Sequence, residues 1–288
     1  MKFWVAIFLC TSASIHAQDS LDISLTNDLS FYSDVMVNAS KADHRVRASQ
    51  NFNQLFSRYI KKNNLFTSDL SYLEWISILQ TEDNAFKLLS WQVEFDNDQF
   101  EYFGYLIYPD GSYHELKREP HSLDNLEGMQ MSAEDWYGCL YYNIMKFGLD
   151  KYIIFGYNKT GKWENMKIAD VLSFEKGDPV FGYPAFEDHD ELGTQVYRLV
   201  LRYSSDAAVN LNFNPGLNMI AHDHLIHRMG RIPGQGPVYL PDGTYEGYEL
   251  VDSVWMYREK LFDHTYDEAP RPNPVFGNSK RKDLFGKN

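Results

Sequence analysis

Residues 86–108 read FKLLSWQVEF, then DND, then QFEYFGYLIY, and this stretch decides what kind of fold the chain adopts. Two runs rich in aromatic and branched apolar residues flank three polar ones, which is the pattern of an antiparallel hairpin. PDGSYHEL at 109–116 follows at once. It places proline and glycine where a tight reversal needs them, so a third strand is expected behind the first two. Asp96 and Asp98 in the first turn invite a calcium reading. A twelve-residue calcium loop, however, needs glycine at its sixth place, where this chain has Glu101. A polar hairpin turn accounts for DND without an ion.

Downstream the same rhythm continues. KYIIFGYNKTGKW, PVFGYPAF, QVYRLVLRYSS, AAVNLNF, LNMIAHDHL, GPVYLPDG, TYEGYEL and VWMYREKLF are short apolar segments separated by turn residues. Such spacing predicts a meander, a sandwich or an open barrel. NMKIADVLSF reads as a short helix running into a strand, and LPDGTY at 240–245, echoing YPDGSY at 108–113, as a second tight reversal. Strands do not alternate with long helices, which argues against a doubly wound parallel sheet. Upstream of the hairpin the period changes. Phe52, Leu55, Phe56, Tyr59 and Ile60 follow helical spacing, with Lys61 and Lys62 suited to the negative end of the helix dipole. Leu29, Tyr32, Met36 and Ala39 trace an earlier helical face. The expected fold class is therefore α+β, predominantly antiparallel β-sheet with one or two N-terminal helices at about 28–63.

The ends carry a different message. Residues 1–17, MKFWVAIFLCTSASIHA, have a basic start, a short apolar run and Ala17 before Gln18, the layout of a secretory signal peptide. The apolar run is too short to span a bilayer, and no later stretch is apolar for long enough either. The chain then divides into a signal peptide at 1–17, a single β-rich domain at 18–265, and an extended or disordered tail at 266–288 with a basic cluster at Lys280, Arg281 and Lys282. Removing the leader removes Cys10 and leaves Cys139, so an internal disulfide is out of reach and stability must come from a core. Cys139 lies among small and aromatic neighbours and reads as a packing residue. The formal charge is −13 with Lys2 counted, hence −14 without it. That balance disfavours nucleic acid and anionic lipid as partners. A neutral or cationic small molecule, or a protein, fits it better. Aromatics make up 16% of the chain, enough to line a sheet face or cleft as well as to build strands.

Chemistry concentrates in AHDHLIHRMG at 221–230. On a strand, His222 and His224 point to one face and Asp223 to the other, because side chains alternate. Two such histidines can offer nitrogens to one zinc, with His227 or His189 completing the shell, which would make a metal-assisted hydrolase conceivable. The ligand set is incomplete, and no general base accompanies it. FEDHDELG at 186–193 surrounds His189 with carboxylates, a run that more commonly forms a solvated loop. The chain lacks G-x-S-x-G, H-E-x-x-H and a strand-to-helix G-x-G-x-x-G, so no organic cofactor is implied and zinc is the one ion the pattern would suit.

Taken together, SWQVEFDNDQFEYFGYLIYPDG, KYIIFGYNKTGKW, IADVLSFEKGDPVFGYPAF, VYRLVLRYSSDAAVNLNFNPGLNMIAHDHL and YLPDGTYEGYELVDSVW resemble a family of exported proteins of Bacteroidetes-type bacteria that has no assigned function. The resemblance covers roughly residues 70 to 260 and centres on Asp223-His224-Leu225, with His222 and His227 particular to this chain. It implies an exported, periplasmic, strand-rich protein and transfers no activity, ligand or catalytic residue. The functional expectation is a non-catalytic partner- or ligand-binding protein of the cell envelope. The metal-assisted hydrolase at His222 and His224, and a structural envelope component, are the alternatives.

Overall fold

Neighbouring residues of a strand point to opposite faces, and in the central strands of this protein both faces are apolar, so the sheets must be covered from two sides. The computed structural model describes residues 23–261 except 97, 119–122, 190, 192 and 231. The leader at 1–17 and the tail at 266–288 lie outside the described residues.

With strands numbered in chain order, the described residues form two helices and three sheets. Helix α1 covers residues 23–38 and α2 covers Ala42–Ile60. The first sheet is the antiparallel series β1 (Ser77–Gln80), β2 (Lys87–Asp96), β3 (Gln99–Ile107) and β4 (Tyr113–Leu116). Its β2–β3 pairing is the expected hairpin, with a bulge between Glu94 and Asp96 at the turn. Asp98, at φ 68, closes that turn and places its carboxylate 3.2 Å from the Lys159 ammonium. The second sheet runs β5 (Met131–Ser132), β9 (Asp178–Phe181), β8 (Glu164–Glu175), β7 (Lys151–Lys159) and β6 (Leu140–Gly148), and β12 (Arg198–Ser204) pairs the far half of β8. The third sheet runs β11 (Gln195–Val196), β10 (Phe186–Glu187), β16 (Val254–Arg258), β15 (Pro237–Val251), β14 (Met219–Met229) and β13 (Leu211–Asn214).

The alternation of side chains stacks these elements in four layers. Leu89, Trp91, Val93 and Tyr105 of the first sheet meet Phe52, Phe56 and Tyr59 of α2 and Leu29 and Met36 of α1. Phe52 and Phe56 present their edges to the Trp91 ring at 5.4 and 5.8 Å, which is why the helical aromatic stripe is core packing. One residue along, Leu88 and Leu106 face the other way, onto Tyr152, Ile154, Ile168 and Leu172 of the second sheet. One residue along again, Ile153, Phe155, Ala169 and Val171 face Ile220, Tyr248, Phe186 and Trp255 of the third. Cys139 is fully buried in the middle interface, as a packing residue should be, and burial pushes its thiol pKa well up.

Two local expectations are corrected. NMKIADVLSF holds no helix: all of it lies in β8, because β7 and β12 pair it on both edges and the layers cover both faces. LPDGTY does not reverse the chain either. It sits inside the fifteen-residue β15, where Asp223 pairs Tyr245 and Leu225 pairs Pro241, so residues 242–244 bulge opposite the single residue His224. YPDGSY, by contrast, is the reversal between β3 and β4.

Candidate functional site

The side of the second sheet that the third sheet leaves open lies along β12. Arg198 and Asp170 are cross-strand partners on the face turned toward the first sheet, so Leu199 and Leu201 of β12 turn toward the third. Between these leucines and the inner faces of β14, β15 and β16 lies an open cleft of about 570 Å³, rimmed by Glu127, Asp188 and His189. Its inner wall comes from the pairing of β14 with β15. His222 lies opposite Glu246 and Ile220 opposite Tyr248, and Tyr248 in turn opposite Tyr257 of β16, so these side chains share one face.

His222 is the deepest polar group there, 5% exposed, with its ring against Tyr248 at 5.8 Å. Its Nδ1 lies 3.1 Å from the carbonyl oxygen of Asp223. A carbonyl only accepts, so Nδ1 carries the hydrogen and donates. Burial pulls the His222 pKa below its ordinary 6.5, which keeps the ring neutral at neutral pH despite the Asp223 carbonyl and Glu246 nearby. Its Nε2 is therefore a bare acceptor, and it has no hydrogen-bond partner among the described residues. Tyr248 is 3% exposed, and burial pushes its hydroxyl pKa up, with Tyr257 and Glu246 adding to the effect. That hydroxyl also has no hydrogen-bond partner among the described residues. Glu246 accepts from the Tyr257 hydroxyl at 2.7 Å. Tyr257 itself rests against His189 at 5.9 Å between ring centres.

The bulge sets the position of His224. Asp242 is turned inward by its own loop: its Oδ1 accepts from the Thr244 amide at 2.9 Å and from the Thr244 hydroxyl at 2.7 Å. The other oxygen, Oδ2, then takes the His224 Nδ1 at 2.9 Å, and the His224 Nε2 lies 3.7 Å from Glu246. His227 is elsewhere, packed at 5.2 Å on the Tyr239 ring across the strand pair toward the outer end of β14. The histidines proposed from sequence to hold zinc are thus shared among three different partners. Among the described residues, no group of three or more His, Cys, Asp or Glu side chains is placed to hold a metal ion. His227 does not join His222 and His224, because it lies within β14 and, three residues beyond His224, falls on the opposite face of the strand. His189 does reach the same cleft as His222, at its exposed rim.

Under the cleft lies a second feature. Arg198 Nε and Asp170 Oδ2 are 3.1 Å apart with both side chains fully buried. Asp170 Oδ1 accepts from the Val171 amide at 2.8 Å, Arg198 Nη1 donates to the Leu126 carbonyl, and the guanidinium stands 5.2 Å over the Tyr137 ring. Tyr137 continues through Tyr141 (3.0 Å) to the Trp136 indole (2.8 Å). Burial raises the Asp170 carboxyl pKa while Arg198 pulls it back. For Arg198, burial opposes the charge, and Asp170 and Tyr137 more than restore it.

Sequence reasoning reached His222 and His224 but missed Glu246, Tyr248, Tyr257 and the Asp170–Arg198 pair. The alternation Glu246-x-Tyr248 in TYEGYEL was a usable sign of a shared face, and so were the charges set inside the largely apolar runs of β8 and β12. What no sequence pattern supplied was the register that sets His222 opposite Glu246. Comparison with protein-family profiles, with curated proteins and with solved structures finds no match to this chain.

Proposed function

We propose that this protein is an exported, non-catalytic binding protein of the cell envelope whose ligand is a small molecule held in the cleft between β12 and the third sheet. The observation that carries the reading is the inner wall. Two side chains at least nine-tenths buried, His222 and Tyr248, line a cleft of about 570 Å³, and each keeps a polar atom without a partner among the described residues. Both residues line the open cleft, so a ligand that brings a donor to the imidazole and a partner to the hydroxyl can bond to them directly. The volume falls in the range of small-molecule sites, and the mixture of aromatic rings with a few polar groups is the usual composition of one. Among the described residues the lining contains no serine, threonine or cysteine, so it offers no hydroxyl or thiol of the usual nucleophile types. The leader pattern at 1–17 supports export, and no helix among the described residues is long and apolar enough to cross a membrane.

A thermal-shift screen of amines, amino acids, sugars and short peptides tests this. The reading expects saturable stabilisation by at least one class, lost in Leu201→Trp, which fills the cleft from the β12 side. Turnover of any bound compound would overturn the non-catalytic part, and stabilisation that survives Leu201→Trp would move the site elsewhere.

A further inference from the structure

If the cleft binds a small molecule, as proposed above, the chemistry of its inner wall selects among ligand classes. We infer that the cleft takes a compact organic cation, an ammonium or guanidinium group carried on a flat or apolar body.

Three independent features converge on that class. The first is the tautomer of His222: with Nδ1 donating to the Asp223 carbonyl, Nε2 presents a lone pair and no hydrogen to the cleft. A ligand that meets it must bring a donor, and a carboxylate or phosphate oxygen in that place would leave two acceptors facing each other. The second is charge. Among the described residues, four acidic residues line the cleft, Glu127, Asp188, Asp223 and Glu246, the Asp223 carboxylate also accepting from the Asn210 amide, against two basic ones, Arg198 and Arg202. Both of those cations already have partners in the protein: Arg198 holds Asp170 and the Leu126 carbonyl, and Arg202 holds Glu164 at 3.4 Å and the Leu123 carbonyl. The local field is negative, and a formal charge of −13 on the whole chain reinforces it at longer range. The third is the aromatic lining. Tyr248 and Tyr257, ring centres 5.6 Å apart, and Tyr239 toward the outer end supply π faces, which attract cations and stack on flat apolar groups. An ammonium between His222 Nε2, the Tyr248 hydroxyl and Glu246 would give the first two a hydrogen bond and would add a formal positive charge beside Glu246, which already accepts from the Tyr257 hydroxyl.

Isothermal titration of the purified chain with three probes of one shape tests the class: phenethylamine, phenethyl alcohol and 3-phenylpropanoate. The amine is expected to bind at least about tenfold tighter than the alcohol, since a charge-assisted hydrogen bond replaces a neutral one, and the acid not to bind. Glu246→Gln is expected to remove most of that preference by weakening the amine more than the alcohol, and raised salt to weaken the amine alone. A near-UV circular dichroism spectrum shows whether Glu246→Gln has kept its fold; Tyr248→Phe, which keeps the ring and removes the hydroxyl, gives a second variant expected to weaken the amine. Equal binding of amine and alcohol, tighter binding of the acid, or an amine preference unmoved by both variants overturns the cationic class. The binding role itself then stands or falls separately, on whether sugars or uncharged peptides stabilise the protein in a manner sensitive to Leu201→Trp.

Discussion

At the scale of single residues, Arg198 and Asp170 show how a buried charge is tolerated. Each would be costly alone, and the 3.1 Å approach, the Val171 amide and the Leu126 carbonyl compensate the pair. Arg198→Met leaves Asp170 buried without its counter-ion and is expected to lower stability by about 3–5 kcal/mol in urea unfolding. Asp170→Leu combined with Arg198→Met removes both charges and is expected to return most of that loss, within about 1 kcal/mol of the parent. Near-additive losses in the double variant would show that the two residues act separately. Each residue was visible in the sequence as a charge within a largely apolar run that also holds Lys167 or Arg202; their partnership was not, because it depends on β12 returning to pair β8 later in the chain. His222 was legible as a residue of interest for a reason that proved incomplete. Its spacing from His224 suggested a shared ion, whereas the structure uses its Nδ1 on a backbone carbonyl and turns its Nε2 into the cleft.

At the scale of elements, the two PDG segments have nearly the same local chemistry and different fates. In both, the aspartate Oδ1 accepts from the amide and hydroxyl two residues on: Asp110 from Ser112 at 2.9 and 2.6 Å, and Asp242 from Thr244 at 2.9 and 2.7 Å. Both glycines have positive φ, 86° at Gly111 and 91° at Gly243. The expected reversal is found at YPDGSY and not at LPDGTY, where the same local geometry forms a bulge within β15. Whether the chain reverses or bulges depends on which strand lies alongside, and that information is not local. Gly243→Ala meets nothing within 4 Å, so its cost should be the backbone term alone, about 1–2 kcal/mol. Gly111→Ala bears the same term and also presses on Asn64 at 3.3 Å, whose amide donates to the Pro109 carbonyl. It should be the more destabilising of the two in chemical denaturation; the reverse order would mean that the bulge, not the hairpin, is the more tightly constrained. The expected helix within NMKIADVLSF failed for a related reason. A strand covered on both faces loses the in-out alternation that marks it, and its mixture of apolar and polar residues is then readable as either element.

At the scale of the whole molecule, the α+β class, the N-terminal helices and the prevalence of antiparallel pairing were readable, since they follow from periodicity summed over many residues. The stacking of three sheets was not, because it rests on which face meets which. Acid should weaken the assembly in a direction set by His222. Its folded pKa lies below 6.5, so as pH falls through 6.5 the unfolded chain takes up a proton that the folded chain resists, and stability declines until the folded group titrates as well. Between pH 7 and 5 the urea midpoint of the parent should fall more steeply than that of His222→Phe; parallel curves would assign the acid sensitivity to other groups. Finally, β7 and β8 have a sheet or helix-backed layer on each face and a paired strand along each edge. Solvent can reach their amides only after neighbouring layers come apart, so deuterium uptake should finish last at Ile153–Phe155 and Ile168–Val171, while the outer end of β14 near Met229, 73% exposed, labels early. The order of labelling would trace the sequence in which the layers separate.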